Sequence, residues 1–142
     1  MNIKDDIYLK TLDFYSAPLP ESGGILGRKN DIVCEYYHDS SSRIDERAIY
    51  VPDVDKLNGI IGKWQEKGIQ FAGIIHSHMK GQNTLSSGDI EYIKQIFNNI
   101  PECIDELYFP VIIPEDKQVI SFVAKRSEND VIIQQDEIHI IQ

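Results

Sequence analysis

Only two cysteines, Cys34 and Cys103, occur in this chain of 142 residues. That is too few for a disulfide framework, so both are expected as reduced thiols of a cytoplasmic protein. Cys34 falls in an apolar strand pattern and reads as core, and neither cysteine has a motif around it that marks a nucleophile. Positive charge is scarce as well: 14 Lys and Arg stand against 23 Asp and Glu, for a net charge of −9. This balance argues against nucleic acid or an anionic membrane as partner. No apolar run approaches the roughly 18 residues that span a bilayer. The opening residues, Met1-Asn2-Ile3-Lys4-Asp5-Asp6, put acids where a signal peptide has an apolar stretch. Linkers, repeats and low-complexity tracts are missing too. Residues 1–142 are therefore expected to form one domain, with enough apolar content (42%) for a sizeable core.

What is present is a mixture of the two hydrophobic periods. Ile7, Thr11, Phe14 and Tyr15 fit one helical face over residues 6–16, with Pro18 and Pro20 to end it. Residues 23–27 and 32–37 read as a hairpin turning at Lys29-Asn30-Asp31, and 48–51 as a short strand stopped by Pro52. Val54, Leu57, Ile60, Ile61 and Trp64 recur at helical spacing, so 53–67 is an amphipathic helix ended by Gly68. Such a stripe is ordinary core packing. Ile90, Ile93, Ile96, Phe97 and Ile100 repeat the spacing in a further helix closed by Pro101. Residues 107–113, 119–124 and 131–141 are strand-like, with Pro110 calling for an edge or a bulge in the first. The class is α/β: a mixed, mostly antiparallel sheet flanked by helices.

The chemistry concentrates in one segment. Phe71-Ala72-Gly73-Ile74-Ile75 reads as a buried strand and runs straight into His76-Ser77-His78. Residues two apart on a strand share a face, so both imidazoles project together, as two ligands of one metal would. Catalytic zinc takes three protein ligands and keeps a fourth position open, and Asp89 at the start of the next helix is the evident third. Each element has a plainer explanation. A His-x-His arises freely on half-exposed strands, and Ser86-x-x-Asp89 can be a capping box and nothing more. The two explanations are less comfortable together, because a buried strand does not end in two histidines without cause. Capping and metal binding also do not compete for the carboxylate. His38 and His139 read as surface or edge histidines, and Asp39-Ser40-Ser41-Ser42 as a polar loop.

His-Ser-His, seven residues, then Ser-x-x-Asp, with a glutamate upstream before a Gly-rich strand (Glu21 in Pro20-Glu21-Ser22-Gly23-Gly24), resembles the signature of the JAMM (MPN-plus) zinc metalloproteases. The resemblance spans residues 21–89, and the downstream strand pattern extends it over most of the chain. It implies a cytidine-deaminase-like MPN/JAB fold, with one zinc per chain held by His76, His78 and Asp89. It further implies Glu21 as general acid/base toward the attacking water and Ser86 as oxyanion stabiliser. By itself, a glutamate before two glycines is ordinarily a solvated turn residue. Met79 stands where many members have proline, which leaves open the path of the loop from Met79 to Leu85.

The function so implied is zinc-dependent cleavage at the C-terminus of a ubiquitin-like or sulfur-carrier-like protein, as deconjugation or precursor processing. The chain length matches a minimal, prokaryotic type of member, and the partner would be a flexible tail or its conjugate, laid along a strand edge. Two alternatives stay open: an MPN-type scaffold that binds without proteolysis, and a same-fold protein associated with DNA repair. The acidic charge counts against the latter.

Overall fold

Strand pairing decides which of this chain's apolar and polar residues become neighbours. The computed structural model describes residues 1–14, 21–40, 43–44 and 50–142. In chain order it contains β1 (Asn2–Lys4), α1 (Asp5–Phe14), β2 (Gly23–Lys29), β3 (Ile32–His38), β4 (Arg43–Ile44) and β5 (Tyr50–Val51). These are followed by α2 (Val54–Glu66), β6 (Gln70–Ser77), α3 (Ser87–Asn99), β7 (Glu106–Tyr108) and β8 (Val111–Ile113). A 3-10 turn (Pro114–Asp116) leads to β9 (Gln118–Ser127), β10 (Asp130–Asp136) and β11 (His139–Ile141). The main sheet runs β10-β9-β7-β6-β2-β3-β1-β11, with β8 also lying between β6 and β9. β2 is antiparallel to β3 and to β6, and β9 is antiparallel to β7, β8 and β10. β6 runs parallel to β7 and β8, and β1 parallel to β3 and β11. The sheet is therefore mixed and mostly antiparallel, as expected.

Local chemistry explains the element ends. The β2–β3 hairpin closes on Asn30 and Asp31, both at positive φ (53° and 63°). These two residue types enter the left-handed region most readily, and a two-residue hairpin loop needs it twice. The Asp53 carboxylate accepts the Lys56 N–H and starts α2, whose Leu57 and Trp64 are buried. Gly73 has φ +143°, and a Cβ there would lie 1.7 Å from the Tyr108 carbonyl oxygen. Only glycine lets β7 come this close to β6.

Helices cover both faces of the sheet. Leu57 and Trp64 of α2 and Ile93 and Phe97 of α3 pack with Ile25, Phe71, Ile74 and Leu107 on one side. Ile7 of α1 joins Ile3, Leu26, Val33, Tyr36, Ile75 and Ile112 on the other. Among the described residues no helix is long and apolar enough to cross a membrane.

Several expectations change. The run 107–113 is broken at Pro110 into β7 and β8, yet both pieces lie inside the sheet between β6 and β9 rather than at an edge. The run 131–141 is two strands, β10 and β11, on opposite edges of the sheet. β1 and β4 were not foreseen. Cys34 is half-buried against the core rather than enclosed by it, and Cys103 is exposed. Asp39, read as part of a polar loop, is buried and accepts the Asp53 N–H at 2.9 Å, tying the end of β3 to the start of α2. Tyr15, Pro18, Pro20, Ser41, Ser42, Ala48 and Ile49 lie outside the described residues, so the helix end at the prolines and the start of the 48–51 strand do too.

Candidate metal centre

The end of β6 is fixed from both sides by backbone pairing. The His76 N–H donates to the Pro110 carbonyl at 3.2 Å and the His78 N–H to that of Ile112 at 2.8 Å. Between them, the Ser77 N–H points the other way and donates to the Ser22 carbonyl at 2.8 Å. The Ser77 hydroxyl, fully buried, accepts the Ser22 N–H at 2.9 Å. Gly23 stands opposite His76 in the β2–β6 register, and the Ser22–Ser77 bonds carry that register one step further. Glu21 directly precedes Ser22, and its charge reaches His78. Glu21 is half-buried there.

Asp89 arrives from α3. Ser86 caps that helix: its Oγ accepts the Asp89 N–H at 3.0 Å, while Asp89 Oδ2 accepts the Ser86 N–H at 2.9 Å. This is a complete capping box, and it holds the carboxylate against the end of β6. Asp89 Oδ2 lies 3.4 Å from His76 Nε2 and 3.3 Å from His78 Nε2. The two Nε2 atoms are 2.8 Å apart, with the rings nearly perpendicular at an interplanar angle of 75°. His76 and His78 are 9% and 5% exposed, so the cluster opens to solvent mainly on its Asp89 side.

The donor set fits a divalent ion such as zinc. Bonds of 2.0–2.1 Å in tetrahedral geometry separate ligand atoms by about 3.3 Å, which the two nitrogen–oxygen edges already match. The nitrogen–nitrogen edge is shorter because an imidazole–imidazole hydrogen bond sets it. His78 Nδ1 lies 3.0 Å from the Gln82 carbonyl oxygen, which can only accept. Nδ1 therefore carries the proton of the neutral ring, which leaves Nε2 as the atom able to ligate. Among the described residues this is the one group of three or more such side chains close enough to hold an ion.

Electrostatics keep the cluster coupled. Burial disfavours the Asp89 carboxylate, but hydrogen bonds with His76 and His78 and the Ser86 N–H outweigh it and hold the carboxyl well below the usual range. Burial likewise disfavours the His78 cation. Its bonds to Asp89 and the Gln82 carbonyl, with the charges of Asp89 and Glu21, overcome this and raise its pKa from 6.5.

A groove of about 490 Å³ between α2 and α3 is lined by Ile25, Leu57, Phe71, Ile74, Tyr92 and Ile96, among others, and by none of the three donors.

The five residues singled out in the sequence thus lie around the end of β6: the three donors in mutual contact, Ser86 capping the helix that carries Asp89, and Glu21 near enough for its charge to act on His78. His38 pairs with the Tyr36 hydroxyl at 2.8 Å, and Tyr36 packs on the opposite face of the sheet. His139 is exposed on β11. Sequence reasoning missed the Gln82 carbonyl and the Ser77 hydroxyl. Lys80-Gly81 was a readable turn signal for the first. A serine between two strand histidines gives no signal for the second.

No family model and no curated protein matches this chain. Solved structures do match. A protein from Desulfitobacterium hafniense, solved in solution, superposes with a TM-score of 0.63 at 17% identity, over 99% of this chain and 92% of that one. A JAB1/MPN domain protein from Archaeoglobus fulgidus superposes with a TM-score of 0.54 at 14% identity, over the whole of both chains. At these identities the likeness concerns the fold, which is of the MPN/JAB type.

Proposed function

We propose that the protein is a zinc-dependent isopeptidase or peptidase of the JAMM type. It acts in the cytoplasm on the C-terminal tail of a ubiquitin-like or sulfur-carrier-like protein, by deconjugation or precursor processing. The observation that carries this reading is the convergence of His76, His78 and Asp89 within 4.8 Å at one strand end, with the charge of Glu21 reaching His78, in an MPN/JAB-type fold. A bound zinc supplies Lewis acidity, which polarises the scissile carbonyl and acidifies the attacking water.

The remaining work falls to this chain's own side chains. Glu21, whose charge reaches His78, takes the proton from the attacking water and hands it to the departing amine. The Ser86 oxygen already accepts the Asp89 N–H, so its own proton is free to be donated to the developing oxyanion. The N-terminus of α3 adds its positive dipole end at the same place. His76 and His78, nearly buried, keep bulk water from the far side of the cluster. A flexible tail is the fitting substrate form, because a peptide bond in a folded segment could not reach donors this recessed.

The test is incubation of zinc-loaded protein with ubiquitin-like fusions extended beyond their C-terminus, read by mass. Release of the extension at the end of the tail, stopped by a chelator, is the expected result. Intact fusions in the presence of fully metal-loaded protein would leave a metal-binding module without proteolysis.

A further inference from the structure

Between His78 and α3 the chain makes a tight turn. The Gln82 N–H donates to the Met79 carbonyl at 3.0 Å, and Gly81 at the third position has φ +91°. That is the pattern of a type II turn, whose third residue must adopt positive φ. A side chain at Gly81 would meet nothing, because no atom lies within 4 Å of the Cβ position. Glycine is therefore needed here for its backbone alone. The turn also has a chemical consequence. It carries the Gln82 carbonyl to 3.0 Å from His78 Nδ1, and a carbonyl there excludes the tautomer that is protonated on Nε2.

We propose that Gly81 is a positioning residue for the metal: its left-handed turn delivers the Gln82 carbonyl that fixes His78 in the tautomer able to ligate. The proposal rests on the metal reading of His76, His78 and Asp89. His76 has no comparable partner among the hydrogen bonds described at its Nδ1. Partners of this kind orient a ligating ring and set its basicity, and their loss typically costs about 10- to 100-fold in metal affinity.

A graded series at Gly81 tests this. Asparagine enters the left-handed region more readily than other non-glycine residues, whereas alanine and valine resist it. Zinc affinity, measured by competition with a chromogenic chelator, should fall in the order Gly, Asn, Ala, Val, reaching about 10- to 100-fold for Gly81→Val. Nitrogen-15 spectra of the metal-free protein, at a pH where the imidazoles are neutral, should show His78 protonated on Nδ1 in wild type and in Gly81→Asn. In Gly81→Val the two tautomers should be mixed. Circular dichroism and melting curves show which variants are folded. Equal zinc affinity across the folded series, or His78 protonated on Nε2 in wild type, overturns the proposal. Wild type that takes up no divalent ion overturns instead the metal reading beneath it.

Discussion

Replacing Ser86 by alanine separates two jobs that the structure gives to one hydroxyl. The Ser86 Oγ accepts the Asp89 N–H at 3.0 Å in an exposed setting, so its loss removes one N-cap bond, worth about 1 kcal/mol. For a chain of this size that corresponds to a fall of roughly 2–5 °C in melting temperature. The other half of the capping box survives, because Asp89 Oδ2 is held by the backbone N–H of Ser86 at 2.9 Å, which alanine keeps. Zinc affinity should therefore change little. A domain with about 5–15 kcal/mol of stability stays folded at 25 °C after losing 1 kcal/mol, so any large loss of turnover there is chemical. Removal of one oxyanion donor is expected to lower turnover by roughly 100- to 1,000-fold, and Ser86→Thr should restore most of it. The assay measures turnover of a cleavable ubiquitin-like fusion, zinc content and melting temperature on the same preparation. Wild-type turnover with a lowered melting temperature would reduce Ser86 to a helix cap and refute the oxyanion role.

Glu21→Gln should keep zinc and fold but lose about 100- to 10,000-fold in turnover, since the amide cannot carry the proton; zinc loss in that variant, seen by metal analysis, would mean that Glu21 is a ligand. Gly73→Ala should destabilise the fold by several kcal/mol or abolish it, on the order of the largest single-site effects, because its Cβ would sit 1.7 Å from the Tyr108 carbonyl oxygen; a denaturation curve near wild type would contradict the β6–β7 approach. The pH dependence has opposite signs with and without the ion. His78 is raised above 6.5 in the fold, so in metal-free protein its contribution to stability is full below that value and is lost as pH rises through the raised one. Zinc competes with the same proton, so its affinity should rise over the same interval; melting curves across pH in chelator and in zinc should diverge, and parallel curves would sink the coupling.

The site was legible where local geometry encodes it. His76 and His78 follow a short apolar run that reads as a buried strand, and period 2 puts them on one face. Ser86 and Asp89 satisfy a helix-start pattern that fixes a carboxylate in the first turn. Glu21 was visible only through resemblance, because its approach to His78 depends on β2 pairing with β6, which sets Gly23 opposite His76. The same limit explains the strands that were misread. Nothing local in Val131 to Ile141 says that His139–Ile141 leaves β10 to pair with β1 at the far edge of the sheet. Pro110 reads as an edge residue because it lacks an N–H, yet it sits inside the sheet, at the break between β7 and β8, and its carbonyl accepts from His76. Asp39 reads as loop because its partner, the Asp53 N–H, lies 14 positions away in the chain. The Gln82 carbonyl leaves no trace in the sequence beyond the glycine before it, since a backbone acceptor is the same in every residue.

The central claim is that His76, His78 and Asp89 together form one metal site, and zinc content per chain tests it most directly. Protein stripped with chelator, reloaded and freed of excess metal should hold about one zinc per chain, as a mononuclear site requires, and His78→Ala prepared in the same way should hold almost none while remaining folded. A folded wild type that retains no zinc, or a His78→Ala variant that retains as much as wild type, would contradict the account.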